Sequence, residues 1–200
     1  MPNSNLQQRV VPNPDAGPAP HVTVLLTPVL QEVVAAGPNA VVLIDGPSGA
    51  GKSTLADELV ATWPGPQRPT LVRLDDIYPG WQGLDAAIEQ VHARLLVPRH
   101  AGQPGQWQRY DWARGESAEW NRVEPERPLI VEGCGALASA HEAVSDVRVW
   151  IDADDTLRKR RALDRDGEMY RPHWDEWQEQ WKAYVVRETP RRWATILLTA

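Results

Sequence analysis

Two stretches of this chain combine residue types that can do chemistry: GPSGAGKS at residues 46–53 and the adjacent pair Asp75-Asp76. The first fits the spacing G-x-x-x-x-G-K-[ST]. Glycines at such spacing let the backbone curl until successive N–H groups face inward, where they can cradle phosphate oxygens. A helix N-terminus just beyond would add its partial positive charge. In that arrangement Gly46, Pro47, Ser48, Gly49, Ala50 and Gly51 form the cradle, and Lys52 reaches the β- and γ-phosphates of a nucleoside triphosphate. The Ser53 hydroxyl becomes a ligand for Mg²⁺, and the Thr54 hydroxyl lies close to the phosphates.

The paired aspartates stand where the apolar run TLVRL (70–74) ends. A carboxylate there can accept the proton of a hydroxyl that attacks a phosphoryl group. The competing reading is a cap for the turn at Pro79-Gly80. Ligands of open α/β sheets sit beyond the carboxyl ends of the strands. If 40–45 and 70–74 are parallel neighbours, Asp75 and Asp76 emerge beside the phosphate loop. Alternation along a strand then turns only one of them toward the γ-phosphate.

Glu132 closes another apolar run, PLIVEG (128–133). A buried carboxylate without a counter-charge is costly, which points to a share in holding Mg²⁺ with Ser53 and Asp76. Arg158, Arg161 and Arg165 are spaced i, i+3, i+7 and fall on one helical face, with Gly167 and Pro172 beyond them. Such a segment (158–172) can act as a lid that neutralises transferring phosphoryl charge and keeps water out. It can equally be a solvated helix paired with Asp164, Asp166 and Glu168. QWQRYDWARG (106–115) mixes aromatics with Arg109 and Arg114. The aromatics can stack on a ring and the arginines can meet an anion, or the stretch is a packed insertion with solvent-facing arginines.

These groups need elements to position them. AVVLID (40–45) is a continuous apolar run of strand length, suited to a buried parallel strand. KSTLADELVATW (52–63) reads as the helix after the loop. TLVRL, PLIVEG, DVRVWID (146–152) and TILL (195–198) give four further strands. Residues 84–97, 154–166 and 173–188 are predicted helices, and Trp174, Trp177, Trp181 and Tyr184 form one core-facing stripe. Residues 21–36 carry helical periodicity, with Pro28 suited to a first turn capped by Thr27 after a short extended piece. Residues 98–127 read as an irregular insertion on the acceptor side. Strands alternating with helices predict an α/β fold of the P-loop NTPase type: three α/β/α layers, a five-stranded parallel sheet and a helical lid. Residues 1–20, with five prolines, read as a disordered tail, and 21–200 as one domain.

Composition narrows the partners. A formal charge of −6 argues against nucleic acid. The single Cys134 excludes an internal disulfide and reads as inert packing in a reducing, cytoplasmic setting. No apolar run is long enough to span a membrane.

In order, the strand with GPSGAGKST, the strand with LDDIY, the segment RYDW, the strand ending VEG and the run DADDTLRKRRALDRD resemble the uridine kinases. The wider group includes phosphoribulokinase and pantothenate kinase. The resemblance covers about residues 40–170. It implies that Asp75 is the catalytic base and Glu132 a metal-associated carboxylate. It also implies that Tyr110, Asp111 and Trp112 touch the substrate, and Tyr78 and Arg114 are placed on the same side. Ile77 stands where the family has Phe, and IYPGW is not its usual continuation. The expected activity is Mg²⁺-dependent transfer of the γ-phosphoryl of ATP to a hydroxyl of a small metabolite, with a nucleoside favoured. In this scheme Lys52, Arg161 and Arg165 serve the transfer, and Arg158 joins the nucleotide site. The alternatives are a nucleoside monophosphate kinase and a nucleotide-binding regulator. No N-K-x-D guanine motif is present.

Overall fold

The computed structural model describes residues 20–200, with side chains from residue 25 onward. The tail expected over 1–20 therefore lies outside the described residues, apart from Pro20, which opens a helix.

The elements run α1 (Pro20–Ala36), β1 (Val41–Asp45), α2 (Lys52–Ala61), β2 (Thr70–Arg73), α3 (Leu84–Gln90) and α4 (Val97–His100), with a π-helical stretch, Val91–Leu96, joining the last two. They continue as β3 (Gly105–Asp111), β4 (Glu116–Val123), β5 (Leu129–Glu132), β6 (Val147–Asp152), α5 (Asp155–Tyr170), α6 (Trp174–Glu188), α7 (Pro190–Trp193) and β7 (Ile196–Thr199). Five strands form one parallel sheet in the order β2-β5-β1-β6-β7.

Alternation along the central strands divides the core in two. Val42, Ile44, Ile130, Val149 and Ile151 pack under α1 and α2 with Val29, Val33, Leu55 and Leu59. Leu43, Leu129, Val131 and Trp150 face the other way, onto Leu84, Val91, Leu95 and the aromatic stripe of α6. Each such side chain contributes about 1.5–3 kcal/mol on burial. Both sheet faces are covered, which is why the strands read as unbroken apolar runs.

Three sequence expectations change. The strands 40–45 and 70–74 are not neighbours, because β5 pairs with both β1 and β2 and lies between them. The stretch 98–127 is not irregular: β3 and β4 form an antiparallel hairpin with a register shift between Gln108 and Tyr110. Pro28 sits inside α1 rather than at its start. A proline there removes one helix hydrogen bond. The loss is offset because Leu26, Val29 and Val33, on both sides of it, are buried against the sheet.

After β5 the chain makes a 3₁₀ segment (Ser139–Val144) that buries His141. The Nδ1–H of His141 donates to the Ala136 carbonyl at 2.9 Å, and its ring stacks on His92 at 5.5 Å between centroids. Burial pushes the His141 imidazole down from its ordinary value of 6.5. The folded ring is therefore neutral where the unfolded chain binds a proton, so stability falls as pH drops below about 6.5, by up to about 1.4 kcal/mol per pH unit. Urea-unfolding free energies compared at about pH 7 and about pH 5.5 should fall less for His141→Gln than for the wild type. Equal losses would assign the acid sensitivity to other groups.

Candidate active site

β1 ends in Asp45, and the phosphate loop follows at once. Lys52 opens α2 after Gly51, whose left-handed backbone (φ 98°) turns the chain into the helix. The Lys52 ammonium is buried inside the loop's own curve, donating to the carbonyls of Gly46 at 2.8 Å and Pro47 at 3.0 Å. Ser53 is half-buried on the first turn of α2, and Thr54 is exposed. Gly49 cannot be replaced, because a Cβ there would meet the backbone carbonyl oxygen of Arg158 at 2.0 Å. The first turns of α5 thus lie directly against the loop.

Asp45 is wholly buried, and four donors converge on its carboxylate: Gly46 N–H at 2.7 Å, Gly135 N–H at 3.2 Å, Leu137 N–H at 2.8 Å and the Tyr184 hydroxyl at 2.7 Å. Burial pushes the carboxyl pKa up, and these hydrogen bonds pull against it. One side chain therefore ties β1, the first amide of the loop, the segment after β5 and the end of α6. Sequence reasoning missed it, although the signal was there: Asp45 is the lone charge in a buried run just before the glycines.

Ser48, in the middle of the loop, is held the same way. Its Oγ accepts from Tyr170 Oη at 3.1 Å and from Trp177 Nε1 at 3.1 Å, and it lies 3.7 Å from Cys134 Sγ. The α6 stripe is core packing, as expected, and in addition two of its members, Trp177 and Tyr184, fasten the loop.

On the far side of the loop, β5 brings in Glu132, which is almost fully buried. Its counter-charge is Arg73 of β2, whose Nη1 lies 2.9 Å from Glu132 Oε1 while Nη2 bonds Asp57 of α2 at 2.5 Å. The premise that this carboxylate lacks a protein partner is thereby corrected. Burial and the nearby Asp75 push its pKa up, while Lys52 and Arg73 pull it down. Among the described residues no three carboxylates, histidines or cysteines group as a metal cage. Mg²⁺ on phosphates keeps several waters and needs only one or two protein ligands. Ser53, beside the loop, and Glu132, within electrostatic reach of Lys52, fit that sparse set.

Asp75 and Asp76 lie on a 3₁₀ turn, Leu74–Asp76, and not on the strand, so strict alternation does not separate them. Their environments do. Asp75 is exposed, with its Oδ2 3.8 Å from Nη2 of Arg165. Asp76 is half-buried and lies within electrostatic reach of Arg109 on the hairpin, which argues for a place on that side rather than among the metal ligands. Tyr78, expected on the substrate side, is instead in the core, its hydroxyl donating to the Cys134 carbonyl at 2.8 Å.

The β3–β4 hairpin brings Tyr110, Asp111 and Trp112 to the same edge. Trp112 Nε1 donates to the Asp75 carbonyl at 2.8 Å, and the Tyr110 and Trp112 rings meet edge-on at 5.4 Å. Asp111 caps its own turn through the amides of Ala113 and Arg114. The insertion's arginines are paired within the hairpin, Arg109 with Glu119 at 2.7 Å and Arg114 with Glu116 at 3.6 Å. Trp81, from the unusual IYPGW stretch, stacks on Tyr170 at 5.3 Å and His173 at 4.6 Å and meets Trp112 at 4.8 Å. It thus joins the hairpin to the end of α5. Of the three lid arginines, Arg165 faces Asp75 and Arg161 is exposed. Arg158 bonds Asp155 at 2.7 Å and Gln178 at 3.0 Å, so its guanidinium serves the α5–α6 contact.

The Asp45 cage yields a prediction. Asp45→Asn turns an amide NH₂ toward at least one backbone N–H, which cannot accept, and this should cost about 1–3 kcal/mol in urea unfolding, whereas Tyr184→Phe, losing one bond, should cost about 1 kcal/mol. ATP-dependent thermal stabilisation should shrink in Asp45→Asn, because the Gly46 amide loses its anchor. Wild-type values on both counts would remove Asp45 from the loop's support.

The structure superposes on a possible uridine kinase from Bacillus stearothermophilus with a TM-score of 0.61 at 18% sequence identity, covering 89% of this chain and 97% of that one. It also superposes on a candidate fructose transport system kinase from Silicibacter sp. TM1040, with a TM-score of 0.52 at 18% identity, covering 90% and 99% of the two chains. At such identities the likeness is one of fold. No curated protein matches the sequence. Residues 42–182, from β1 through most of α6, match the family described as AAA domain, and the chain belongs to that family of P-loop proteins.

Proposed function

We propose that this protein is a kinase that transfers the γ-phosphoryl group of Mg-ATP to a hydroxyl of a small metabolite, with an uncharged acceptor such as a nucleoside favoured. The observation that carries this reading is Asp75. An exposed carboxylate stands at the carboxyl edge of the sheet, between the phosphate-loop side and an aromatic hairpin, facing an arginine of α5. A site that only binds nucleotide needs no such base, whereas a hydroxyl acceptor does.

In this reading the loop amides and Lys52 hold the β- and γ-phosphates, the ammonium exchanging its two loop carbonyls for phosphate oxygens. Ser53 and Glu132 would hold Mg²⁺, which supplies charge neutralisation at the phosphates. Asp75 takes the acceptor's hydroxyl proton as the new O–P bond forms and the bond to ADP breaks. Arg165 and the exposed Arg161 meet the charge that develops on the phosphoryl oxygens. Trp112 and Tyr110 offer ring faces beside Asp75.

The electrostatics weigh against a phosphorylated acceptor. Arg109 and Arg114, the groups expected to meet an anion, already pair with Glu119 and Glu116. Asp75, Asp76 and Asp111 add negative charge on the same side. A nucleoside monophosphate would have to approach that surface with both hairpin arginines already paired. No helix among the described residues is long and apolar enough to cross a membrane.

The test is a screen of nucleosides, nucleotides and sugars with Mg-ATP, read as ADP release and followed by product identification. A phosphorylated product from an uncharged hydroxyl compound is expected, and turnover only with nucleoside monophosphates would reverse the assignment. With the acceptor in hand, Asp75→Asn should lower kcat by about 10²–10⁴-fold, the range of a positioned general base, with Mg-ATP binding nearly intact. Asp76→Asn should cost less, and Lys52→Met should abolish transfer. A loss of only a few-fold in Asp75→Asn would return the aspartate pair to the role of a turn cap.

A further inference from the structure

The last arginine of α5 stands between two carboxylates. Nε and Nη2 of Arg165 bond both oxygens of Asp166, at 2.8 Å and 2.7 Å. The same Nη2 lies 3.8 Å from Asp75 Oδ2, inside an ion pair but too long for a hydrogen bond. A guanidinium presents its donors in a rigid plane, so the two-point grip of Asp166 fixes where that plane points. Both Asp75 and Arg165 are about half exposed, at 50% and 52%, so solvent leaves them free to approach each other. They nevertheless stand 3.8 Å apart, an ion pair without a hydrogen bond.

The backbone accounts for the placement. Asp166 is the last residue before Gly167, whose φ of 57° and ψ of −139° break the helix. Beyond the break, Tyr170 is fastened to Ser48 and stacked on Trp81. Arg165 and Asp166 therefore belong to the part of α5 ahead of the break. Tyr170, beyond it, stays with the phosphate loop.

We propose that Asp166 is a positioning residue that holds Arg165 back from Asp75, keeping the base and the lid arginine apart until transfer. This rests on the kinase reading above. A carboxylate closed into a two-point pair with a guanidinium has its lone pairs occupied and is a poor acceptor for a hydroxyl proton. The short bidentate pair with Asp166 satisfies Arg165 locally and leaves its remaining donors and the Asp75 oxygens available. In transfer, the acceptor oxygen bonds phosphorus, the bond to ADP breaks, and the hydroxyl proton passes to Asp75. Asp166 takes no part in any of these bonds.

The experiment uses the full chain carrying Asp166→Asn. Arg165 should then close on Asp75, bringing Nη2 and Oδ2 to hydrogen-bonding distance in a crystal structure of the variant. With the acceptor found by the screen, kcat should fall about 10-fold, a fraction of what a general base contributes. The acceptor KM should rise several-fold, because the acceptor must displace Arg165, while KM for Mg-ATP stays within about 2-fold. Asp166→Glu, which keeps the carboxylate, should recover part of the loss. A separation that stays near its wild-type value, or kinetic constants equal to the wild type, would overturn the proposal. So would a fall in melting temperature together with a weakened Mg-ATP KM, which marks a structural role. If no hydroxyl acceptor exists, the kinase reading fails, and the crystallographic distance alone still decides the role of Asp166.

Discussion

The buried carboxylate of Asp45 is the constraint on which the site depends. A charge in the sheet's core is unfavourable by several kcal/mol unless donors replace its water. Here they come from four residues in three parts of the chain: residue 46, residues 135 and 137, and residue 184. The need to satisfy one anion thus sets the start of the phosphate loop, the path of the segment leaving β5, and the seat of α6. An apolar residue at position 45 would pack without that need and would specify none of these.

A second electrostatic thread crosses the sheet's carboxyl edge. Because β5 lies between β1 and β2, Glu132 stands between the loop lysine and the aspartate turn. Arg73 and Asp57 extend the alternation outward, anion to cation to anion. Burial pushes the Glu132 pKa up, and Arg73, which orients the carboxylate, pulls against that shift. The inserted strand also gives the aspartate turn a different relation to the loop from the one that neighbouring strands would impose. β5 separates the aspartate turn from the strand that leads into the loop.

Much of this was legible from residue types. The apolar runs marked all five strands, since a sheet covered on both faces needs unbroken hydrophobic sequence. GPSGAGKS marked the loop because its backbone path demands glycine, as Gly49 against the Arg158 carbonyl illustrates. Strand order was not legible, because TLVRL and PLIVEG carry equivalent patterns and pairing is decided by long-range packing. The hairpin over 105–123 was hidden for a different reason. β4 is exposed along most of its length, so it has no apolar alternation to read. The supports of the loop were hidden as well. Tyr170, Trp177 and Tyr184 look like core aromatics, and only the folded structure reveals that their polar atoms end on Ser48 and Asp45.

That last point bears on how the two halves of the site are joined. Ten tryptophans and no phenylalanine give this chain large rings that carry a donor on the edge. Trp112 uses its N–H on the Asp75 carbonyl, Trp177 uses its N–H on Ser48, and Trp81 lies in the stack between Trp112 and Tyr170. Phenylalanine could supply the packing at these positions but none of the hydrogen bonds. The aspartate turn, the hairpin, the end of α5 and the phosphate loop are therefore linked through ring contacts and edge donors, with no direct backbone pairing. Such contacts tolerate small rotations better than a strand ladder does, because stacked rings slide with little loss of buried area while ladder hydrogen bonds do not. Under the kinase proposal, a site that has to admit an acceptor, close and release a product is better served by that kind of join.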